Sequence, residues 1–509
     1  MNIKFIHSEL QALGIEYVAA VLKKHGHSVE LIVDPYFPFL SKAGKFLKRI
    51  SGWQQKLIRK VIDGNPDLIA FSVTSYNLEW AYHIAAELKK NSSVPIVFGG
   101  VQATLVPEVI LTQSAADFVI LGEGEYAMLE LLQSFKTGQE YSNIANLCYL
   151  NEGKIETNSL RPLIENLDTL PFPDKDLVPL WLNRGLYRIV TGRGCPGRCT
   201  YCCAPIQADI YKDKGDFIRR RSPENVIAEL KQAKVKYQIK RVLFEDDLFT
   251  YDKNWLRIFS RQYKKEINIP CFIHATPKSI DDDIVSFLKN MSCYSVELGV
   301  QSLKRDIREK FLKRYYTNDQ IEKTIILLKG KGINCICDNI VGLPEEQEAD
   351  LASMVEYYNK LRPGKIELLR LEYYPKAEII EFSSLSKDEL DRINLGELVV
   401  SSRWHTPKIN KMMLLIGLSY ILPKKIISYM LHNQVYNLFY PFNDYNHINE
   451  TIFYLGALLK RNRKKVFISF RADVFYKLKY IFTKSFNYKH SKVGVREEKQ
   501  MLESNYVKV

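Results

Sequence analysis

The chain has 509 residues, 46% of them hydrophobic and 26% charged, with a formal net charge of +14. That length suits roughly three domains, and the composition excludes a disordered or low-complexity polymer. Nine cysteines, an odd number, and an opening Met1-Asn2-Ile3-Lys4-Phe5-Ile6 with no secretory leader argue against a disulfide framework; they favour a reducing, cytoplasmic setting.

Residues 1–140 alternate short apolar runs with amphipathic stretches. Strands are predicted at Ile3–His7, Val29–Val33, Leu68–Val73, Ile96–Gly99 and Phe118–Leu121. Helices are predicted at Gly14–Lys24, Lys45–Ile62, Leu78–Lys90 and Tyr126–Phe135. This rhythm predicts a doubly wound, Rossmann-like parallel sheet, whose ligands bind outside the carboxyl ends of the strands. Polar and glycine-rich residues fall there: Ser72 to Ser75, Gly99-Gly100-Val101-Gln102 and Gly122-Glu123-Gly124-Glu125. Such glycines let backbone amides approach a large planar or phosphate-bearing ligand, although glycine after a strand is also ordinary turn chemistry.

Residues 141–186, with Leu170-Pro171-Phe172-Pro173-Asp174 and Val178-Pro179, are expected to be an extended connector. Tyr187-Arg188-Ile189-Val190 then runs into Thr191-Gly192-Arg193-Gly194 and Cys195-Pro196-Gly197-Arg198-Cys199-Thr200-Tyr201-Cys202. Three thiols at C-x3-C-x2-C spacing can wrap one face of a metal centre and leave a coordination position open. A structural zinc site wants four ligands, usually in two separated pairs, and no second CxxC follows. Thiolate preference favours iron–sulfur.

From 187 to 400 strand and helix alternate again. Strands are predicted at Val242–Phe244, Cys271–His274, Ser295–Leu298, Asn334–Val341 and Ile366–Leu371, with crossover helices such as Pro223–Lys236 behind an N-cap at Ser222. The pattern implies a complete or partial (β/α) barrel, with its chemistry at the carboxyl ends of the strands. Glu245-Asp246-Asp247 ends the second strand and Glu297-Leu298-Gly299-Val300-Gln301-Ser302 the fourth. His274, Glu372 and Tyr374, also near strand ends, are candidates for acid–base work on a substrate. Cys335 and Cys337 alternate along the fifth strand, either as small core residues or facing the lumen. Residues 401–509 read as mainly helical and carry 19 Lys and Arg against 6 Asp and Glu, so nearly all the excess charge is here. Neither apolar run, Lys411–Tyr420 or Ile426–Leu431, approaches the ~20 residues needed to cross a bilayer. The basic, aromatic tail suits either peripheral attachment to an anionic membrane or a helical cap on the barrel; no nucleic-acid recognition motif is visible.

The cysteine loop with its Tyr201, the Asp-Asp segment, the E-x-G-x-Q-S strand and Gly342-Leu343-Pro344-Glu345-Glu346 together resemble the radical S-adenosylmethionine (SAM) superfamily, over residues 187–375. The resemblance implies that Cys195, Cys199 and Cys202 hold three irons of a [4Fe–4S] cluster while SAM chelates the fourth. It implies that Asp246 or Asp247 anchors the methionyl ammonium, that Glu297, with Gln301 close by, meets the SAM ribose, and that Arg314 pairs with the SAM carboxylate. The order Gly14…Gly26-His27…Gly99-Gly100…Gly122-Glu123-Gly124-Glu125 resembles the cobalamin (B12)-binding domain that precedes many radical SAM domains. That implies cobalamin over the strand ends, near Ser72, Ser75, Gly99, Gly100, Gln102, Gly122 and Gly124. No D-x-H-x-x-G ligand motif occurs, and Gln102 stands where relatives often have His.

The implied enzyme is a cobalamin-dependent radical SAM C-methyltransferase acting on a small or lipid-like substrate, with an external electron donor of flavodoxin or ferredoxin type. The rival readings are radical oxidation, cyclisation or rearrangement without methyl transfer, and a non-catalytic metal-binding module.

Overall fold

The computed structural model describes residues 1–8, 12–34, 52–178, 185–401, 407–419 and 422–438. Its first sheet has seven strands in the order β2-β1-β3-β4-β5-β6-β7. The first five, β1 (Asn2–His7), β2 (Ser28–Val33), β3 (Leu68–Ser72), β4 (Ile96–Gly99) and β5 (Phe118–Ile120), are parallel. Successive residues of β3 show why the sheet is covered on both sides. Leu68 and Ala70 pack with α1 (Leu13–Lys24) and α4 (Glu125–Thr137), whereas Ile69 and Phe71 pack with α2 (Trp53–Asp63) and α3 (Leu78–Asn91). Such strands read as continuous apolar runs because both faces are buried. The amino-terminal part of the predicted Lys45–Ile62 helix lies outside the described residues; its remainder is α2.

Two strands lie where the sequence reading places only connector. β6 (Leu147–Asn151), antiparallel to β5, and β7 (Lys154–Thr157), antiparallel to β6, extend the sheet as a hairpin. They meet at Glu152-Gly153, both at positive φ (51° and 78°), the mirror-type turn that matches strand twist.

The second sheet has six parallel strands in chain order: β8 (Leu186–Ile189), β11 (Arg241–Phe244), β12 (Cys271–Ala275), β13 (Cys293–Gln301), β14 (Asn334–Val341) and β15 (Lys365–Arg370). β8 and β15 are its two edges, so the barrel is partial. Between β8 and β11 lies a two-stranded ribbon, β9 (Gly192–Arg193) against β10 (Arg219–Arg220). The crossover helix α6 (Pro223–Tyr237) starts where the Ser222 hydroxyl accepts from the Asn225 amide, 3.1 Å, with proline in its first turn.

Alternation along the barrel strands separates core from lumen. Ile189, Phe244, Ile273, Leu298, Cys337 and Leu368 join the helix-side core. Their neighbours on the other face are charged: Arg188, Glu245, His274, Glu297, Asp338 and Glu367, one from each strand or its end. Cys335 and Cys337 are fully buried in the helix-side core with their sulfurs 3.7 Å apart, so the lumen-facing alternative for these thiols does not hold.

After β15, β16 (Glu372–Tyr373) pairs antiparallel with β17 (Val399–Val400). The helices α7 (Pro407–Leu418) and α8 (Lys424–His432) pack on the barrel's outer layer, where Asn359 donates to the Lys424 carbonyl at 3.0 Å. The basic and aromatic stretch beyond Leu438 lies outside the described residues. Among those described, no helix is long and apolar enough to cross a membrane.

Candidate functional site

The cysteine loop leaves β8 through Thr191 and the ribbon. Gly194 has a φ of +85°, and a Cβ there would lie 2.1 Å from the Phe217 carbonyl, so only glycine lets the two arms close. The sulfurs of Cys195 and Cys199 both flank Gly197, each 3.4 Å from where its Cβ would be. Cys202 caps α5 (Cys203–Ile210), its sulfur accepting from the Ala204 amide at 3.5 Å. A hydrogen bond from Cys203 draws the Cys202 thiol down to about 7, whereas burial pushes Cys195 up to about 11. Among the described residues no three His, Cys, Asp or Glu side chains converge on one ion. Three sulfurs spread around a turn suit a cluster, in which each iron takes one thiolate, better than a lone ion.

The two carboxylates that the sequence could not separate have different jobs. Asp246 is buried and accepts from the Thr191 amide (3.1 and 3.0 Å) and the Thr191 hydroxyl (2.6 Å). Arg220 stands 4.0 Å away, its guanidinium 4.1 Å from the Trp255 ring centroid. Asp247 is exposed on the cysteine side, where its charge acts on Cys195 and Cys202. Burial of its surroundings and the charge of Asp246 raise its pKa, and His274 opposes them. Asp246 ties the loop down, whereas Asp247 stands exposed beside the cysteines.

Across the lumen, Glu297 faces His274, with Nδ1–Oε1 at 3.6 Å, and His274 in turn faces Glu245 at 4.0 Å. Glu245 also accepts from Arg188. Asp338, on β14, lies against Glu297 in hydrogen-bond contact. Burial and then the Glu297 charge push its carboxyl up to about 10, so at neutral pH it is the protonated partner, and its Oδ1 has no hydrogen bond. Its signal in the sequence was its alternation with Ile336 and Cys337 on β14.

The end of β13 bulges between Gly299 and Gln301. Gln301 adopts φ +65° and folds its amide back over Gly299, 2.8 Å from where a Cβ would stand. Arg314 approaches the same glycine and donates to the Tyr201 hydroxyl at 2.8 Å. Glu297, Gln301, Arg314 and Tyr201 therefore form a continuous wall from the lumen to the cysteine loop.

In the first domain, Ser72, Gly99, Gly100, Gly122 and Gly124 line one cavity of about 270 Å³. Val190 and Arg193 of the cysteine-loop approach also line it, so the cavity lies between the two domains. Ser75 and Gln102 are not on its lining. The Ser75 hydroxyl donates to the Gln102 carbonyl (2.8 Å), and the Gln102 amide donates to the Gly396 carbonyl (3.1 Å). The Tyr211 hydroxyl, just past α5, sits 1.7 Å from where a Gly122 Cβ would be. Outside that lining, Tyr76 of the first domain and Tyr374 of the second both donate to Glu372, the latter at 3.3 Å.

A family model of the radical SAM superfamily matches residues 189–358, and one of the B12 binding domain matches residues 4–132. The chain is 27% identical over 380 residues to an uncharacterized methyltransferase, PH0819, of Pyrococcus horikoshii, covering 73% of this chain and 78% of that protein. Among solved structures it resembles the radical SAM methyltransferase TsrM of Kitasatospora setae, with a TM-score of 0.62, 18% identity and 74% of each chain covered. It also resembles the cobalamin-dependent SAM radical enzyme OxsB, with a TM-score of 0.64 and 14% identity over 96% of this chain and 82% of that one.

Proposed function

We propose, starting from the fact that the chain belongs to the cobalamin-binding radical SAM superfamily, that it is an enzyme that transfers a methyl group to an unactivated carbon of a small substrate. The observation that carries this reading is that the cavity ringed by Gly99, Gly100, Gly122 and Gly124 shares its wall with Val190 and Arg193, which lead into the cysteine loop. Two cofactor sites meeting at one cleft is what a reaction needing both requires.

The residues fit the groups the family implies. Cys195, Cys199 and Cys202 would hold the cluster, and the glycine-lined cavity would take cobalamin. When bound, the cluster supplies the electron that cleaves SAM to methionine and a 5′-deoxyadenosyl radical, and cobalamin supplies the methyl carrier. Asp247 is placed to accept the methionyl ammonium beside the thiols. Arg314, held by Tyr201, presents a fixed cation to the SAM carboxylate, with Gln301 alongside. Glu297 offers its carboxylate to the ribose hydroxyls. Gln102 has both ends of its amide engaged and fixes the Gly99–Gly100 turn to the 387–400 segment instead of reaching a ligand. Glu372, between phenols from the two domains, is placed to grip a donor group of the substrate. Residues closing over a reaction of this kind position the partners and exclude water. Reducing equivalents come from an external donor of flavodoxin or ferredoxin type.

The test is anaerobic reconstitution with iron, sulfide and hydroxocobalamin, then incubation with methyl-labelled SAM and a chemical reductant. Formation of 5′-deoxyadenosine and methionine that Cys195→Ser, Cys199→Ser and Cys202→Ser each abolish, and Cys203→Ser does not, is the expected result. One zinc per chain with no sulfide would replace the enzyme with a metal-binding module. Label found only in methionine and unreacted SAM, with none in the product, would replace methylation with oxidation, cyclisation or rearrangement.

A further inference from the structure

The Gly122-Glu123-Gly124-Glu125 turn contributes more than glycines to the cavity. Its two carboxylates point away from the sheet and grip the ribbon of the second domain. Arg193 donates from one guanidinium nitrogen to Glu123 (2.6 Å) and from the other to Glu125 (2.5 Å). Arg219, paired with Arg193 across the ribbon, donates to the same Glu123 oxygen at 2.9 Å and to the Ile164 carbonyl at 2.8 Å. The other Glu123 oxygen accepts from the Ile164 amide at 2.7 Å. The Arg193 guanidinium lies over the Tyr17 ring, 5.2 Å from its centroid. Glu125 and Arg219 are buried. Arg220, next on the ribbon, instead serves the Asp246 and Thr191 corner.

Two features make this a linkage as well as a fastening. Arg193 lines the cavity and lies two residues ahead of Cys195, so one side chain belongs to both sites. A planar fork shared between two carboxylates fixes direction as well as charge, and separating buried partners leaves charges unpaired at high cost. A shift of the turn is therefore carried into the loop.

Resting on the functional reading above, we propose that Arg193 is a positioning residue that couples the two sites: occupation of the cavity by a corrinoid orders the cysteine loop, and a loaded loop tightens the cavity. Coupling between binding sites is reciprocal, so either direction measures it.

The experiment titrates hydroxocobalamin into the full-length protein with and without its reconstituted cluster, following the corrinoid absorbance. Parent protein is expected to bind hydroxocobalamin about fivefold or more tightly when the cluster is loaded, the lower end of usual coupling. Arg193→Lys keeps the charge but gives up the planar fork that meets each carboxylate from its own nitrogen, and its ratio is expected to fall to about one while the chain still takes up each cofactor. Glu125→Gln, which leaves Arg193 paired with Glu123, is the second variant should Arg193→Lys fail to fold, and it too should lower the ratio. A parent ratio of one, or a ratio unchanged in the variants, overturns the inference alone. A parent that takes up no hydroxocobalamin overturns the functional reading and the inference together.

Discussion

The adjacent carboxylates Asp246 and Asp247 should respond oppositely to the same change, loss of the charge with nearly the same shape. Asp246→Asn leaves one oxygen to accept from Thr191 but removes the counter-charge of Arg220, whose guanidinium is packed against Phe249, Tyr251 and Trp255. Breaking a buried pair by removing one partner costs about 3–5 kcal/mol. At roughly 2–4 °C per kcal/mol for a unit of this size, Tm falls by on the order of 10 °C. Asp247 is exposed, so Asp247→Asn should change stability by no more than about 0.5 kcal/mol. Its loss should appear in SAM binding: a charge-assisted hydrogen bond of about 1.5–3 kcal/mol is tenfold to a hundredfold in affinity. Thermal melts and equilibrium dialysis of SAM against anaerobically reconstituted protein read both quantities. If Asp246→Asn melts with the parent and loses SAM affinity, while Asp247→Asn melts early, the two roles are reversed and the reasoning fails.

Asp338 predicts a pH dependence. Its folded-state pKa of about 10 lies far above the roughly 3.9 of an unfolded aspartate, so between these values the folded chain holds the extra proton and stability falls as pH rises. Asp338→Asn should flatten that decline and melt above the parent at pH 8; parallel Tm curves from pH 5 to 9 would refute it. Gly122→Ala must adopt φ +58°, about 1–2 kcal/mol for an L-residue, and must also displace the Tyr211 hydroxyl. Tyr211 is buried and costs stability when truncated, so the comparison is made within a Tyr211→Ala background: there Gly122→Ala should cost only the backbone term, and an equal cost in both backgrounds would count against this packing.

Much of the molecule was legible beforehand because its signals are local. Buried parallel strands are short apolar runs between glycines and prolines, and every predicted strand of both sheets is present, all within a residue or two except that β13 runs on three residues past the predicted Leu298 to Gln301. The cysteine spacing is a single loop and needed no tertiary information. What the sequence hid depends on where a strand stops alternating. Phe244 faces the helices and Glu245 the lumen, but the chain then turns, and only the fold shows that Asp246 bends back to Thr191 while Asp247 stays open. The ribbon was invisible for another reason: strands of two residues have no period, so no pattern joined Arg193 to Arg219 and Arg220. The β6–β7 hairpin did carry a signal, Glu152-Gly153 between two apolar-bearing runs, which the polar composition of the connector masked. Gln102, read as a departure at a ligand position, owes its place to Gly396, almost 300 residues away, a pairing that no local pattern encodes.

The stretch joining the two domains is bolted down at several points between Leu163 and Lys175. Lys175 is buried between Glu16 of the first domain and the Arg188 carbonyl of the second, Asp168 receives the Ser222 amide, and Leu163 donates to Lys214. A tether stitched to both partners does not act as a hinge. Swinging one half aside between two uses of the same corrinoid would strip ionic groups of their partners each cycle. On the proposed function, small molecules would trade places in a cleft whose walls keep their ionic partners throughout.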